Sequence, residues 1–163
     1  MQPNTDRSGQ VREFRRSLRV LEREVQISMA SDTGCCGVSL AQCHLLLEVE
    51  LRGASNVTEL AAVLALDKST MSRTVDALVN AGSLNRETAP DNRRQQVISL
   101  TKAGRAKAQS INRTCDSTYA RLLDFIPEEK RASVVESVAL LAGAMRRLRR
   151  DPQAACCVDV SEA

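Results

Sequence analysis

The sequence predicts a mainly α fold with one small β hairpin, and three observations predict it. Apolar residues recur at spacings of three and four over most of the chain, which is the helical period. Ser39 followed by Gln42, and Asn56 followed by Glu59, have the form of capping boxes that open helices. One stretch breaks the period: two short strand-type runs, Leu84–Thr88 and Gln96–Leu100, flank Pro90-Asp91-Asn92, which is turn chemistry.

In chain order, residues 1–10 are polar, contain Pro3 and Gly9, and read as a flexible N-terminal arm. Val11, Phe14, Leu18, Leu21 and Val25 form the stripe of an amphipathic helix over 11–31, which ends before Gly34-Cys35-Cys36-Gly37. A second helix starts after Ser39, runs through Leu40, Cys43, Leu46, Leu47 and Leu51, and breaks at Gly53. A short helix follows Asn56, with Val57, Leu60, Ala61 and Leu64 on one side. Asp67 caps the next, whose inward face is Met71, Val75 and Leu78 and which Gly82 ends. Two short helices a few residues apart make a helix-turn-helix pattern. The hairpin then carries Arg93 and Arg94 at its tip. Long helices over Thr101–Ile126 and Glu128–Arg150 are stopped by Pro127 and Pro152, and a tail over 151–163 holds Cys156 and Cys157.

The 163 residues are one domain's worth of chain, so residues 11–150 are expected to form a single domain with its own core. Phe14, Tyr119 and Phe125 are the only aromatic residues, too few for a platform on which single-stranded bases stack. No apolar run approaches the length of a membrane span. The first thirty residues carry charges throughout and lack an apolar signal core, so the expected location is cytoplasmic. A net charge of +3 is too small to establish a polyanionic partner; the placement of the cations must do so.

That placement points to duplex DNA. The helix after Asp67 turns Lys68, Ser69, Thr70, Ser72 and Arg73 outward. Short hydroxyls and long cations suit base edges and flanking phosphates in a major groove, and a helix N-terminus offers backbone donors to phosphate. A plain solvated face has the same composition. The arginine-tipped hairpin downstream decides between the two readings, because it can set Arg93 or Arg94 against a minor groove or a phosphate.

The stretch Leu60-Ala61, Leu66-Asp67-Lys68-Ser69-Thr70-Met71-Ser72-Arg73-Thr74-Val75-Asp76-Ala77-Leu78 and Gly82, followed by Asp91-Asn92-Arg93-Arg94 and Leu100-Thr101-Lys102-Ala103-Gly104, resembles the MarR family of winged helix-turn-helix regulators. The resemblance covers roughly residues 11–150 and is densest over 57–104. It implies six helices and one wing, with a winged helix-turn-helix DNA-binding lobe at about 39–101 and a helical dimerisation lobe from 11–31 and 102–150. It further implies a homodimer on a palindromic operator, acting as a repressor or, less often, an activator. Carried onto this chain, it makes Ser69, Thr70, Ser72 and Arg73 groove-facing, puts Arg93 and Arg94 on the wing, and has Asp91 orient the wing arginines by a charge-assisted hydrogen bond. A plain turn residue is the other reading of Asp91.

A dimer is expected from the last helix independently. Val134, Val138, Leu141, Met145 and Leu148 form a heptad-like seam that wants a partner helix, within the subunit or across two. Arg146, Arg147, Arg149 and Arg150 complement that helix's negative end and read as solvated.

The six cysteines are the oddity of the composition. Cys35 and Cys36 lie in a glycine-flanked turn, Cys43 in the first turn of the second helix with His44 beside it, Cys115 within the fifth helix, and Cys156 and Cys157 on the tail. Buried small hydrophobes explain Cys115, but not two adjacent pairs in a turn and a tail. No Cys-x-x-Cys pair is present, which disfavours a zinc ribbon, yet thiolates gathered by folding bind soft metals without that motif. Cys35, Cys36, Cys43, Cys156 and Cys157 are therefore expected to bind trivalent arsenic or another soft metal ion, or to react with an oxidant. Cys115 and His44 are weaker candidates, and no resident cofactor is required.

Three alternatives stand beside this reading. In the first, the effector is a small lipophilic or aromatic anion and the cysteines are incidental. The second is a thiol enzyme or metal-buffering protein on the same scaffold. One histidine, no nucleophile elbow and no glycine-rich phosphate loop argue against it, and no enzymatic activity is expected. The third is a protein-interaction module, which the polar reading face and the wing arginines disfavour.

Overall fold

The computed structural model describes residues 4–32, 37–89 and 92–151, with side chains placed for 6–28, 37–89 and 96–151. The elements are α1 (Asn4–Asp32), α2 (Leu40–Arg52), α3 (Val57–Leu64), α4 (Lys68–Asn80), β1 (Leu84–Ala89), β2 (Asn92–Leu100), α5 (Lys102–Asp124) and α6 (Glu128–Arg150). This is the mainly α fold with a small β wing. No helix among the described residues is long and apolar enough to cross a membrane. The chain divides into two compact units, with the boundary between Arg113 and Thr114 in α5.

The local signals act as their chemistry requires. Ser39 and Gln42 form a reciprocal capping box, the Ser39 Oγ accepting from the Gln42 N–H at 3.3 Å and the Gln42 Oε1 from the Ser39 N–H at 2.9 Å. Asn56 and Glu59 do the same at the head of α3. Helix α4 ends in a full Schellman arrangement. Gly82 takes a left-handed φ of 67°, its N–H donates to the Val79 carbonyl, and the Ser83 N–H donates to the Leu78 carbonyl.

In the first unit α2, α3, α4 and both strands pack together. Leu45, Leu46 and Val49 from α2 meet Leu60 and Ala61 from α3, Met71, Val75 and Leu78 from α4, and Leu84 and Ile98 from the strands; all are buried. The Ser55 backbone exchanges hydrogen bonds with Ile98 at 3.0 and 2.7 Å, a one-residue third strand that pins the α2–α3 turn to β2. Thr101 makes the other tie. Its hydroxyl donates to the Gly82 carbonyl at 2.7 Å and accepts from the Gly104 N–H at 2.9 Å, so one side chain caps α5 and locks it to the end of α4. In the second unit Arg131 braces the α5–α6 turn, its Nε donating to the carbonyls of Leu123 and Ile126.

Three expectations are corrected. The arm expected over 1–10 is helical from Asn4, because Asp6 in the first turn suits the helix N-terminus and accepts from Gln10 Nε2 at 3.1 Å, which offsets the cost of Gly9. Helix α2 turns Leu45, Leu46 and Val49 into the core, and Leu40 and Leu51 are exposed. This helix is apolar on two sides, so its pattern does not say which side enters the core. The fifth helix ends at Asp124, before the Phe125-Ile126 turn. The second strand begins at Asn92 instead of Gln96, so Arg93 and Arg94 are strand residues and not the turn itself. Thr88 pairs with Gln96 but Ala89 with Asn92, so residues 93–95 bulge out of the ladder.

Candidate nucleic-acid interface

Helix α4 is divided lengthwise by burial. Met71, Val75 and Leu78 are fully enclosed, fixing its rotation about its own axis. That rotation leaves Lys68, Ser69 and Arg73 exposed and Thr70 and Ser72 half-buried.

The first turn is held by Asp67. Its Oδ1 accepts from the Ser69 hydroxyl at 2.5 Å and from the Thr70 N–H at 2.8 Å. These bonds, that from the Ser69 side chain first, hold the Asp67 carboxyl well below the usual carboxylate range. One turn on, Arg73 Nη2 donates to Thr70 Oγ1 at 3.3 Å, and Thr74 Oγ1 donates to the Thr70 carbonyl at 2.8 Å.

The hairpin is attached to this helix by charge. Arg86 Nη1 lies 2.7 Å from Asp76 Oδ1, which joins β1 to α4. Arg86 Nε and Nη2 are buried with no hydrogen-bond partner among the described residues. Arg86 also lines a groove of about 560 Å³ at which Asn56, Glu59, Lys68, Ser72 and Gln96 meet. Asp76, Arg86 and Ser55 were not singled out from the sequence. A signal for Arg86 exists: it shares strand parity with the buried Leu84, and a cation on the inward parity of a strand calls for an acid nearby.

The remaining predicted residues are placed as follows. Arg93 and Arg94 have described backbone in β2, but their side chains, and all of Asp91, lie outside the described residues. So do Cys35, Cys36, Cys156 and Cys157. Cys43, in the first turn of α2, and Cys115, in α5, are half-buried, and His44 is exposed. Among the described residues no three His, Cys, Asp or Glu side chains gather as a metal site would require. Large apolar side chains stand exposed along α1 (Val11, Phe14, Leu21, Val25) and α6 (Val138, Met145, Leu148).

Residues 38–95, from the start of α2 through the bulge in β2, match the MarR family. The HTH-type transcriptional repressor MdtR of Bacillus subtilis (strain 168) is 27% identical over 128 residues, which is 78% of this chain and 83% of MdtR. Among solved structures, the YusO protein from Bacillus subtilis is 25% identical with a TM-score of 0.62, covering 87% of this chain and 99% of YusO. A MarR family transcription regulator is 20% identical with a TM-score of 0.74, covering 90% of this chain and 97% of its own.

Proposed function

We propose that this chain, whose residues 38–95 match the MarR family, is a homodimeric transcriptional repressor that binds a palindromic operator. One observation carries the reading: α4 buries one complete face and presents Lys68, Ser69 and Arg73 on the other, beside a hairpin tied to the same helix through Arg86 and Asp76. Groove readers of this kind use the exposed N-terminal part of the second helix for bases and phosphates. Arg93 and Arg94 on β2 are the wing contacts, with Asp91 as their orienting carboxylate. The apolar residues exposed on α1, and separately those on α6, are surfaces a second copy covers. A two-fold dimer sets its two reading helices about 34 Å apart, one turn of DNA.

Two measurements test this. Sedimentation of the full chain should give a dimer. Affinity for duplexes selected from a random-sequence pool should fall linearly with log salt, as counterion release requires. A monomer, or a chain that retains no duplex from the pool, overturns the proposal.

For the effector we keep the thiol reading: Cys35, Cys36, Cys43, Cys156 and Cys157 bind arsenite or another soft metal ion, or are oxidised, and the dimer then favours a shape that fits the operator poorly. The adjacent pairs at 35–36 and 156–157 support it. A second reading, release by a small lipophilic or aromatic anion, is favoured by Arg86 in the lining of the α3–α4–β1 groove, since a guanidinium suits a carboxylate. Titrating the DNA complex with arsenite, Zn(II), Cd(II), Hg(II), peroxide and benzoate separates the two. Release by the thiophiles that disappears when the five cysteines become serine supports the first. Release by benzoate that disappears in Arg86→Gln supports the second and overturns the first.

A further inference from the structure

The hydrogen bonds of the first turn of α4 decide what Ser69 can offer to a partner. A serine hydroxyl carries one proton and two lone pairs, and an ionised carboxylate can only accept. The Ser69 Oγ lies 2.5 Å from Asp67 Oδ1. Asp67 holds no proton near neutral pH, because the same bonds keep its carboxyl far down the acid range. The proton between the two oxygens is therefore serine's. Ser69 is exposed, and the part of its hydroxyl left for a partner is the pair of acceptor lone pairs. The Thr70 hydroxyl also bonds the Asp67 carboxylate while accepting from Arg73, and Thr74 spends its proton on the Thr70 carbonyl.

We propose that Ser69 is a specificity-determining residue that reads an exocyclic amino group on a base edge, adenine N6 or cytosine N4, and that Asp67 is the positioning residue that enforces this. The inference rests on the regulator reading above. In the major groove guanine presents only acceptors, thymine an acceptor and a methyl group, and only adenine and cytosine present amino donors. A hydroxyl free to rotate accepts any of these partners. A hydroxyl whose proton is committed to a carboxylate accepts only the donors. The remaining acceptor capacity of Asp67, one residue pair away, points the same way, since carboxylates suit cytosine N4. Lys68 and Arg73, exposed on the same helix, are donors only, so Ser69 adds a reading of opposite sense to theirs.

The experiment selects duplexes from a random-core pool with the full chain, with Ser69→Ala and with Asp67→Asn. The wild type should select adenine or cytosine at one position of each half-site, and Ser69→Ala should lose that preference. In the best duplex that base is then replaced by purine, which lacks the adenine amino group, or by 2-pyrimidinone, which lacks that of cytosine. The loss should be about tenfold for the wild type and less than about twofold for Ser69→Ala; the analogue that acts identifies the base. Asp67→Asn keeps a good helix cap but its amide can donate to Ser69. That variant should bind with similar affinity and admit guanine or thymine at the same position, which a merely structural role for Asp67 would not produce. Amino-group removal that costs wild type and Ser69→Ala equally, or a wild-type preference for guanine or thymine at the Ser69-dependent position, overturns the inference and leaves the regulator reading standing. A chain that selects no duplex overturns that reading, and this one with it.

Discussion

Arg86 Nη1 and Asp76 Oδ1 are 2.7 Å apart, so the strand that begins the wing is bonded to the helix proposed to enter the major groove. The two residues lie on separate elements, so their pairing ties the wing to the helix. Arg86 is the more enclosed partner, with 29% of its side chain exposed against 51% for Asp76. Removing the acid therefore harms more than removing an open surface charge, because it leaves a largely enclosed guanidinium uncompensated.

Asp76→Ala is accordingly expected to cost about 1 kcal/mol of stability, the upper end for a partly exposed pair, and to weaken operator binding although residue 76 makes no proposed DNA contact. The exchange Asp76→Arg with Arg86→Asp should recover part of both losses. Denaturant unfolding and duplex titration of the two single variants and the double variant check it. Additive losses in the double variant would show that the pair does not couple.

Gly104 is required by the backbone around it. A Cβ there would stand 1.9 Å from the Ser83 carbonyl oxygen and 3.2 Å from a Leu100 methyl group. The oxygen belongs to the turn held by the Thr101 hydroxyl and has little room to retreat. Gly104→Ala should destabilise by about 3 kcal/mol, the upper range for overpacking, measured by urea unfolding. Gly9→Ala, where nothing lies within 4 Å, is the control and should not destabilise the chain.

The contrast between these two glycines shows what the sequence could and could not disclose. Helix starts were legible because Ser39, Asn56 and Asp67 act on backbone donors two or three residues away. The buried face of α4 was legible because Met71, Val75 and Leu78 alone make an apolar stripe on it. Pairings across long separations were not. Arg86 with Asp76, Ser55 with Ile98 and Thr101 with Gly82 depend on how elements stack, and no local spacing encodes that. The start of β2 is hidden in the sequence because the bulge at 93–95 breaks the alternation from which strands are read. Helix α2, apolar on two sides, has an ambiguous inward face for the converse reason.

Asp67 makes a prediction about pH. Its folded-state pKa is depressed, so the stabilisation from its bonds to Ser69 and Thr70 is fully present above the ordinary carboxylate range and is lost as pH falls through the folded value. The difference in melting temperature between wild type and Asp67→Ala should be constant from about pH 7 to pH 5 and shrink below about pH 4, where the unfolded carboxyl begins to protonate. A difference that grows on acidification would reverse the assigned sign.

Arg73 separates stability from recognition. It is exposed on α4, its hydrogen bond to Thr70 Oγ1 is long at 3.3 Å, and it takes no part in the core. Arg73→Ala should therefore leave the unfolding free energy within about 0.5 kcal/mol of wild type and leave the proposed dimer intact. Duplex affinity should drop by about ten- to a hundredfold, the range for removing one well-placed hydrogen bond to a base or phosphate from each of two half-sites. The salt dependence tells which of the two groups Arg73 meets. If it meets phosphates, the slope of log affinity against log salt becomes shallower by about 1 for each phosphate no longer neutralised, and all sequences weaken together. If it meets a guanine, the slope changes little and discrimination at that base relaxes. Lys68→Ala, at the first residue of α4, is the comparison, and a shallower slope there with sequence preference retained would assign phosphate to Lys68 and base to Arg73. Normal duplex binding by Arg73→Ala would remove α4 from the proposed interface.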